Sequence, residues 1–225
     1  MKTPYLTIPF SLSNESLHWL KEKTDPMVDN YQKTAPLDAA LIEFPRDTMQ
    51  EWYDSQMWKE IQAQLAPFGL TEEPLIQFFI YKKLAQPKGD PRGNPHIDTF
   101  KGVDGIVPIR FNILVSGAED EEMVWWDIHD WDNDNRLHVM EFPRPTDPTK
   151  VSKRVQARGG SMAERWATIG EPEYSWTKLT KLNTWASFVR TDRLHAINWS
   201  GKVPRLVMSL RFLAKWEEIE KFHHK

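Results

Sequence analysis

Two short stretches hold three side chains that can share one metal ion. Asn94-Pro95-His96-Ile97-Asp98 offers an imidazole and a carboxylate two positions apart, and Leu194-His195-Ala196-Ile197-Asn198 offers a second imidazole about a hundred residues later. Side chains two apart in an extended segment lie on one face, so His96 and Asp98 can reach the same ion. Two imidazoles and a carboxylate on one side of an octahedral metal suit non-haem Fe(II), with positions left open for other ligands. A lone His-x-Asp is weak in a chain with 7 His and 32 acidic residues, and a structural surface loop explains it equally well. The surrounding residues supply the discrimination.

Ten residues after His195 comes Arg205, at the head of Arg205-Leu206-Val207-Met208-Ser209-Leu210-Arg211-Phe212. The alternation is clean: Arg205, Val207, Ser209 and Arg211 share one face of a strand, and Leu206, Met208, Leu210 and Phe212 share the other. Residues 107–116 repeat the pattern, with Arg110 and Asn112 against Ile109, Phe111, Ile113 and Val115. Arginines turned toward a core need anionic partners, and a bound carboxylate held by a guanidinium with a hydroxyl beside it would supply one. The competing reading is the solvated face of an open antiparallel sheet.

The elements around these residues are mostly short strands. Residues 4–10, 39–44, 75–84, 107–116, 123–128, 136–142, 174–179, 184–189, 194–199 and 205–213 carry strand patterns with turn signals between them. Helices are expected at 13–23, at 55–66, where Met57, Ile61 and Leu65 recur every four residues, and at 217–222. Thr48-x-x-Glu51 has capping-box form. The loop 86–95, with Pro87, Gly89, Pro91, Gly93 and Pro95, is strongly turn-forming. Residues 143–172, with four prolines and three glycines, read as a long insertion or lid loop. The whole, 1–225, reads as one mainly β domain with flanking helices: 1–70 form helical cover and edge elements, and 75–213 form a core with the pattern of a sandwich or jelly roll. A doubly wound α/β fold needs helices between strands, and 106–142 leaves no room for them.

Composition narrows the chemistry. The chain of 225 residues has no cysteine, which excludes disulfides, thiolate metal sites and cysteine nucleophiles. Its net charge of −3 gives no global attraction to duplex nucleic acid or anionic membrane. No apolar run reaches the roughly 20 residues of a membrane span, and the first residues lack a secretory core, so the expectation is a cytoplasmic protein. Eleven tryptophans suit pocket walls as well as core; Trp125 and Trp126 are the pair expected to help enclose a site. His129 sits among Asp127, Asp130 and Asp132, but no arginine follows it at the spacing that Arg205 has from His195. The basic stretch 150–158 reads as a solvated loop that an anionic substrate could touch.

His96-x-Asp98, His195 and then Arg205 resemble the 2-oxoglutarate-dependent Fe(II) oxygenases, whose core is a double-stranded β-helix (jelly roll, cupin-like). Arg110-Phe111-Asn112 and His195…Arg205-Leu206-Val207 are similar to the aspartyl/asparaginyl β-hydroxylase branch. That branch has His in place of Asn112 and often lacks an acid at the position of Asp98. The resemblance implies that His96, Asp98 and His195 ligate Fe(II), that Arg205 anchors 2-oxoglutarate with Ser209 as its hydroxyl partner, and that Asn112, Arg110 and Tyr81 are further cosubstrate contacts. It implies a dioxygenase that consumes O2 and 2-oxoglutarate, releases succinate and CO2, and hydroxylates a small metabolite, a peptide residue or a nucleobase. Asp98 favours hydroxylation over halogenation, since halogenases of this family place a small residue there. Two other readings stay open: a non-catalytic jelly-roll binding module, and a cupin-like metalloenzyme that does not use 2-oxoglutarate.

Overall fold

A computed structural model of the chain describes residues 3–34, 39–43, 48–81, 93–98, 109–117, 122–128, 130–143, 151–176, 181–198 and 204–223. Their strands form two antiparallel six-stranded sheets. One sheet runs β1 (Tyr5–Pro9), β10 (Trp185–Arg190), β5 (Ile109–Ser116), β12 (Arg205–Phe212), β3 (Leu75–Tyr81), β2 (Ala39–Glu43). The other runs β7 (Leu137–Pro143), β8 (Val151–Ala157), β4 (His96–Ile97), β11 (Leu194–Asn198), β6 (Glu122–Trp126), β9 (Tyr174–Trp176). In chain order, β3 to β6 alternate between the sheets. After β9 in the second sheet, β10 to β12 alternate again. That winding is a double-stranded β-helix, the mainly β jelly roll expected from the strand pattern. The two imidazole strands, β4 and β11, are neighbours in one sheet, while the arginine strands β5 and β12 are neighbours in the other.

The two-residue alternation of β12 explains why every residue in it is buried. Leu206, Met208, Leu210 and Phe212 join the core between the first sheet and the helices. The polar face turns inward, toward the second sheet, so neither side meets bulk water. The helical cover consists of α1 (Asn14–Thr34), α2 (Gln50–Asp54), α3 (Gln56–Leu65) and α5 (Trp216–His223). α3 lays Met57, Trp58, Ile61 and Leu65 on that core. The Ser55 side chain caps it, accepting from the Trp58 N–H at 3.1 Å. The capping box expected at Thr48 and Glu51 is not the cap used, since α2 starts after Met49 without a side-chain cap. α1 runs well past the expected end near residue 23 and holds Pro26 inside it. The proline removes one backbone bond, but Leu20 and Thr24 are buried and Met27, Val28 and Tyr31 pack on the core beyond it.

The segment 143–172 departs most from expectation. It contributes β8, paired with the full length of β7 and with β4, and a helix, α4 (Met162–Ile169), with a complete Ser161/Glu164 capping box. α4 presses Trp166 and Ile169 onto the outer face of the second sheet, against Trp126, Val155 and Leu194 among others. The sequence pattern misses β8 because Val151-Ser152-Lys153-Arg154-Val155-Gln156-Ala157 carries few apolar residues; its pairing with β7 and β4 places it. The chain between β6 and β9 thus wraps round to extend the sheet beside β4. Residues 144–150, like His129 and much of the loop 86–95, lie outside the described residues.

Candidate metal centre

β4 and β11 pair so that His96 and His195 are direct cross-strand partners, with ring centroids 4.6 Å apart. Asp98 follows two residues after His96 on the same side, and its backbone N–H donates to the Thr191 carbonyl at 2.9 Å. One ligand atom from each of His96, Asp98 and His195 lies within 4.8 Å of the others, and among the described residues no other group of three such side chains converges like this.

The two imidazoles are set up alike. His96 Nδ1 lies 2.6 Å from the Asn94 carbonyl, and His195 Nδ1 lies 2.9 Å from the Arg193 carbonyl. A carbonyl only accepts, so each Nδ1 carries the proton and each Nε2 keeps a lone pair. His96 Nε2 then faces Asp98 Oδ1 at 3.3 Å, one acceptor against another, an arrangement that a cation between them satisfies. The other carboxylate oxygen, Oδ2, is engaged by Arg110 Nε at 2.5 Å. Asp98 therefore has one oxygen to offer an ion.

Electrostatics favour the ligating forms. Burial works against an ionised Asp98, but the Arg110 guanidinium beside it, with smaller help from the two imidazoles, outweighs it and holds its carboxyl well below the usual carboxylate range. Burial, reinforced by repulsion from His96, pushes His195 down to about 4 against the opposing pull of Asp98. At neutral pH the site therefore presents an anionic carboxylate and a neutral buried imidazole, the forms that bind a metal.

These groups line one cavity of about 590 Å³, measured out to its mouth, together with Tyr81, Arg110, Asn112 and Arg205. Arg205 is buried and lies across the Tyr81 ring, 5.4 Å from guanidinium carbon to centroid; the two residues are cross-strand partners. Gly117 lets the chain pass close to Arg205, since a Cβ there would come within 2.8 Å of the Arg205 Cα, and its φ of 123° is glycine territory. Asn112 lines the cavity with a buried Oδ1 that makes no hydrogen bond among the described residues. A ligand donor would satisfy it.

Ser209 takes a different place from the one expected. Four residues along an extended strand put it roughly 13 Å from Arg205, fully buried, with its Oγ 3.5 Å from Arg110 Nη1 and outside the cavity wall. Arg110 is bound chiefly within the protein: to Asp98, to Gln77 Oε1 at 3.0 Å, and over the Phe79 ring at 4.9 Å. It braces the Asp98 carboxylate. Trp125 and Trp126 do not line the cavity either. Both are almost fully buried; Trp125 packs among Met123, Val189 and Tyr5 between the sheets, and Trp126 packs against Trp166 of α4. The apolar wall comes instead from Phe79, Met123, Ile197 and Val207. Phe79 and Ile197 sit two positions from Tyr81 and His195, so strand period alone points to them. For Met123 the signal lies in the pairing of β6 with β11.

The residues present fit an Fe(II) ion and a dicarboxylate. Two imidazole lone pairs and one carboxylate oxygen converge on a face, and the buried Arg205 guanidinium lines the same cavity. Among the described residues, no helix is long and apolar enough to cross a membrane.

No family model matches the chain, and no curated protein matches it. Among solved structures, it is similar to EvdO2 from Micromonospora carbonacea var. aurantiaca complexed with 2-oxoglutarate, at 13% identity and a TM-score of 0.47 over 96% of this chain and 91% of that one. It is similar to EctD from S. alaskensis with 2-oxoglutarate and 5-hydroxyectoine, at 12% identity and a TM-score of 0.47 over 92% of this chain and 71% of that one. It is likewise similar to the epimerase SnoN in complex with Fe3+, alpha ketoglutarate and nogalamycin RO, at 13% identity and a TM-score of 0.44 over 92% of this chain and 78% of that one.

Proposed function

We propose that this protein is a non-haem Fe(II) and 2-oxoglutarate-dependent dioxygenase that hydroxylates an organic substrate and releases succinate and CO2. The observation that carries the reading is the convergence of one ligand atom each from His96, His195 and Asp98 in the cavity that Arg205 also lines.

Bound iron and 2-oxoglutarate would supply oxygen activation; the chain's own residues bind, orient and exclude water. His96 and His195 each present an Nε2 lone pair, because a backbone carbonyl holds the opposite proton. Asp98 contributes a single oxygen, because Arg110 occupies the second. Arg205 receives the far carboxylate of 2-oxoglutarate, and Tyr81 supports the guanidinium from its ring face. The Asn112 Oδ1, which makes no hydrogen bond among the described residues, can accept from a donor on the organic substrate, since 2-oxoglutarate itself carries none. Phe79, Met123, Ile197 and Val207 form a dry wall that holds a C–H bond near the metal and keeps bulk water away.

The test is a paired titration on purified protein. One equivalent of Fe(II) should bind, 2-oxoglutarate should bind only to the loaded protein with useful affinity, and aerobic incubation should yield slow succinate formation without substrate. Asp98→Ala should lose most of the iron. No iron uptake would favour a binding module, and iron uptake without 2-oxoglutarate binding would favour a cupin-like enzyme; either result overturns the reading.

A further inference from the structure

We infer that two arginine clamps outside the cavity, Arg165 on one side and the Arg193–Asp127 pair on the other, are positioning elements that set the tautomer and aim of His96 and His195. The inference deepens the proposed function, since it concerns the same metal centre, but it concerns a state of the protein that exists before any metal binds.

The starting observation is that each imidazole depends on the main-chain carbonyl two residues before it. A carbonyl in an irregular segment aims a ring only if the segment itself is held. Asn94 lies at the end of a turn-forming loop, and both ends of its side-chain amide are gripped. Arg165 Nη1 donates to Asn94 Oδ1 at 2.8 Å, and Asn94 Nδ2 donates to Gln156 Oε1 of β8 at 3.1 Å. Arg165 is braced in turn, its Nε donating to the Gly159 carbonyl at 3.0 Å. With Asn94 fixed from both sides, its carbonyl can point only at His96 Nδ1.

The second clamp works on the turn between β10 and β11. Arg193 Nη1 lies 3.1 Å from Asp127 Oδ1, with both side chains largely buried. Asp127 directly follows β6, the strand that pairs with β11. The ion pair therefore ties the turn to the end of the neighbouring strand and holds the Arg193 carbonyl against His195 Nδ1. The same turn supplies the Thr191 carbonyl that receives the Asp98 N–H, so the clamp bears on two of the three ligands. Arg165, Arg193 and Asp127 do not line the cavity, which makes them positioning residues, since none touches metal or substrate. Partners that orient metal-bound imidazoles typically change metal affinity by about 10- to 100-fold when removed.

The test reads imidazole tautomers directly, by long-range proton–nitrogen correlation on the full-length, metal-free protein with labelled histidine. In the parent protein both rings should show the Nδ1–H form. Arg165→Met should turn the His96 signal into a tautomer mixture and leave His195 unchanged; Asp127→Asn should do the reverse. Equilibrium dialysis with Mn(II) should then show about tenfold weaker binding in each variant. Arg165→Lys, which keeps a donor but not the fork, should fall between parent and Arg165→Met, and it carries the test if Arg165→Met does not fold. Unchanged tautomers at both rings in folded variants would overturn the inference, as would both rings responding together to either change. A chain that fails to bind iron or 2-oxoglutarate but passes the tautomer test would lose the proposed function and keep the clamps.

Discussion

At the scale of single residues, the site rests on who occupies which oxygen and which nitrogen. Arg110 and Arg205 are both buried and both line the cavity, yet their assignments differ. Arg110 is consumed by Asp98, Gln77 and Phe79, so its loss is a stability event: Arg110→Met should cost about 3–5 kcal/mol, because it leaves a buried carboxylate without its cation, and chemical denaturation would measure it. Arg205→Met should spare iron and weaken 2-oxoglutarate by about tenfold to a hundredfold, the equivalent of one charge-assisted bond; an identical cosubstrate titration would refute the anchoring role. His195 predicts a pH effect. Its folded pKa of about 4 lies below its ordinary 6.5, so the unfolded chain takes up the proton first. The associated stability is complete above about pH 6.5 and is lost as pH falls toward 4, by about 3 kcal/mol in all. Asp98, held below its ordinary 3.8, adds a loss only at still lower pH. Urea midpoints of the metal-free protein at pH 7, 5.5 and 4.5 should therefore fall, and the fall should be shallower in His195→Gln.

At the scale of elements, β4 is only two residues long and cannot fix His96 by its own ladder. Its neighbours hold it. The Gly93 N–H donates to the Ile197 carbonyl, the Trp166 indole donates to the Gly93 carbonyl at 3.0 Å, and the Ala157 N–H donates to the Pro95 carbonyl at 3.0 Å. α4 thus acts as a buttress on the back of the segment that carries His96 and Asp98. Trp166→Ala should remove both a core ring and that indole bond, costing about 3–5 kcal/mol and weakening iron binding. Trp166→Phe should recover most of the stability and less of the affinity. Gly93→Ala should act harder than its size suggests, because the added Cβ would lie 2.7 Å from the Ile197 carbonyl oxygen and cannot be accommodated without moving β11. Thermal denaturation and metal titration of the three variants separate these effects.

At the scale of the molecule, the two sheets face each other across a polar interior. One sheet carries the imidazoles and the other carries the guanidiniums, so the site exists only when the sheets are apposed. Ligand binding should therefore stabilise the whole fold. At a free concentration a hundred times the dissociation constant, the gain is about 2.7 kcal/mol, which for a chain of this length corresponds to a rise in Tm of roughly 5–11 °C. Differential scanning with Fe(II), and with Fe(II) plus 2-oxoglutarate under anaerobic conditions, should show two successive increments. Asp98→Ala should lack both.

Much of this was legible in the residues alone, and the reason is period. The alternation in β12 and β5 separated a face for the helices from a face for the cavity, and the offset from His195 to Arg205 put cation and ligand on successive strands of one winding. Spacing also singled out His96, Asp98 and His195, whose convergence then followed from the pairing of β4 with β11. What only the tertiary structure decided were contacts between segments with no local signature. Ser209 lies too far along its strand to serve Arg205 and meets Arg110 instead. Trp125 and Trp126 are core, and Met123 lines the wall. The stretch that reads as a loose insertion supplies a strand and a buttressing helix, because β8 is stabilised by partners rather than by its own pattern. Local periodicity records which way a side chain points; which group waits there is set by how distant strands come into register.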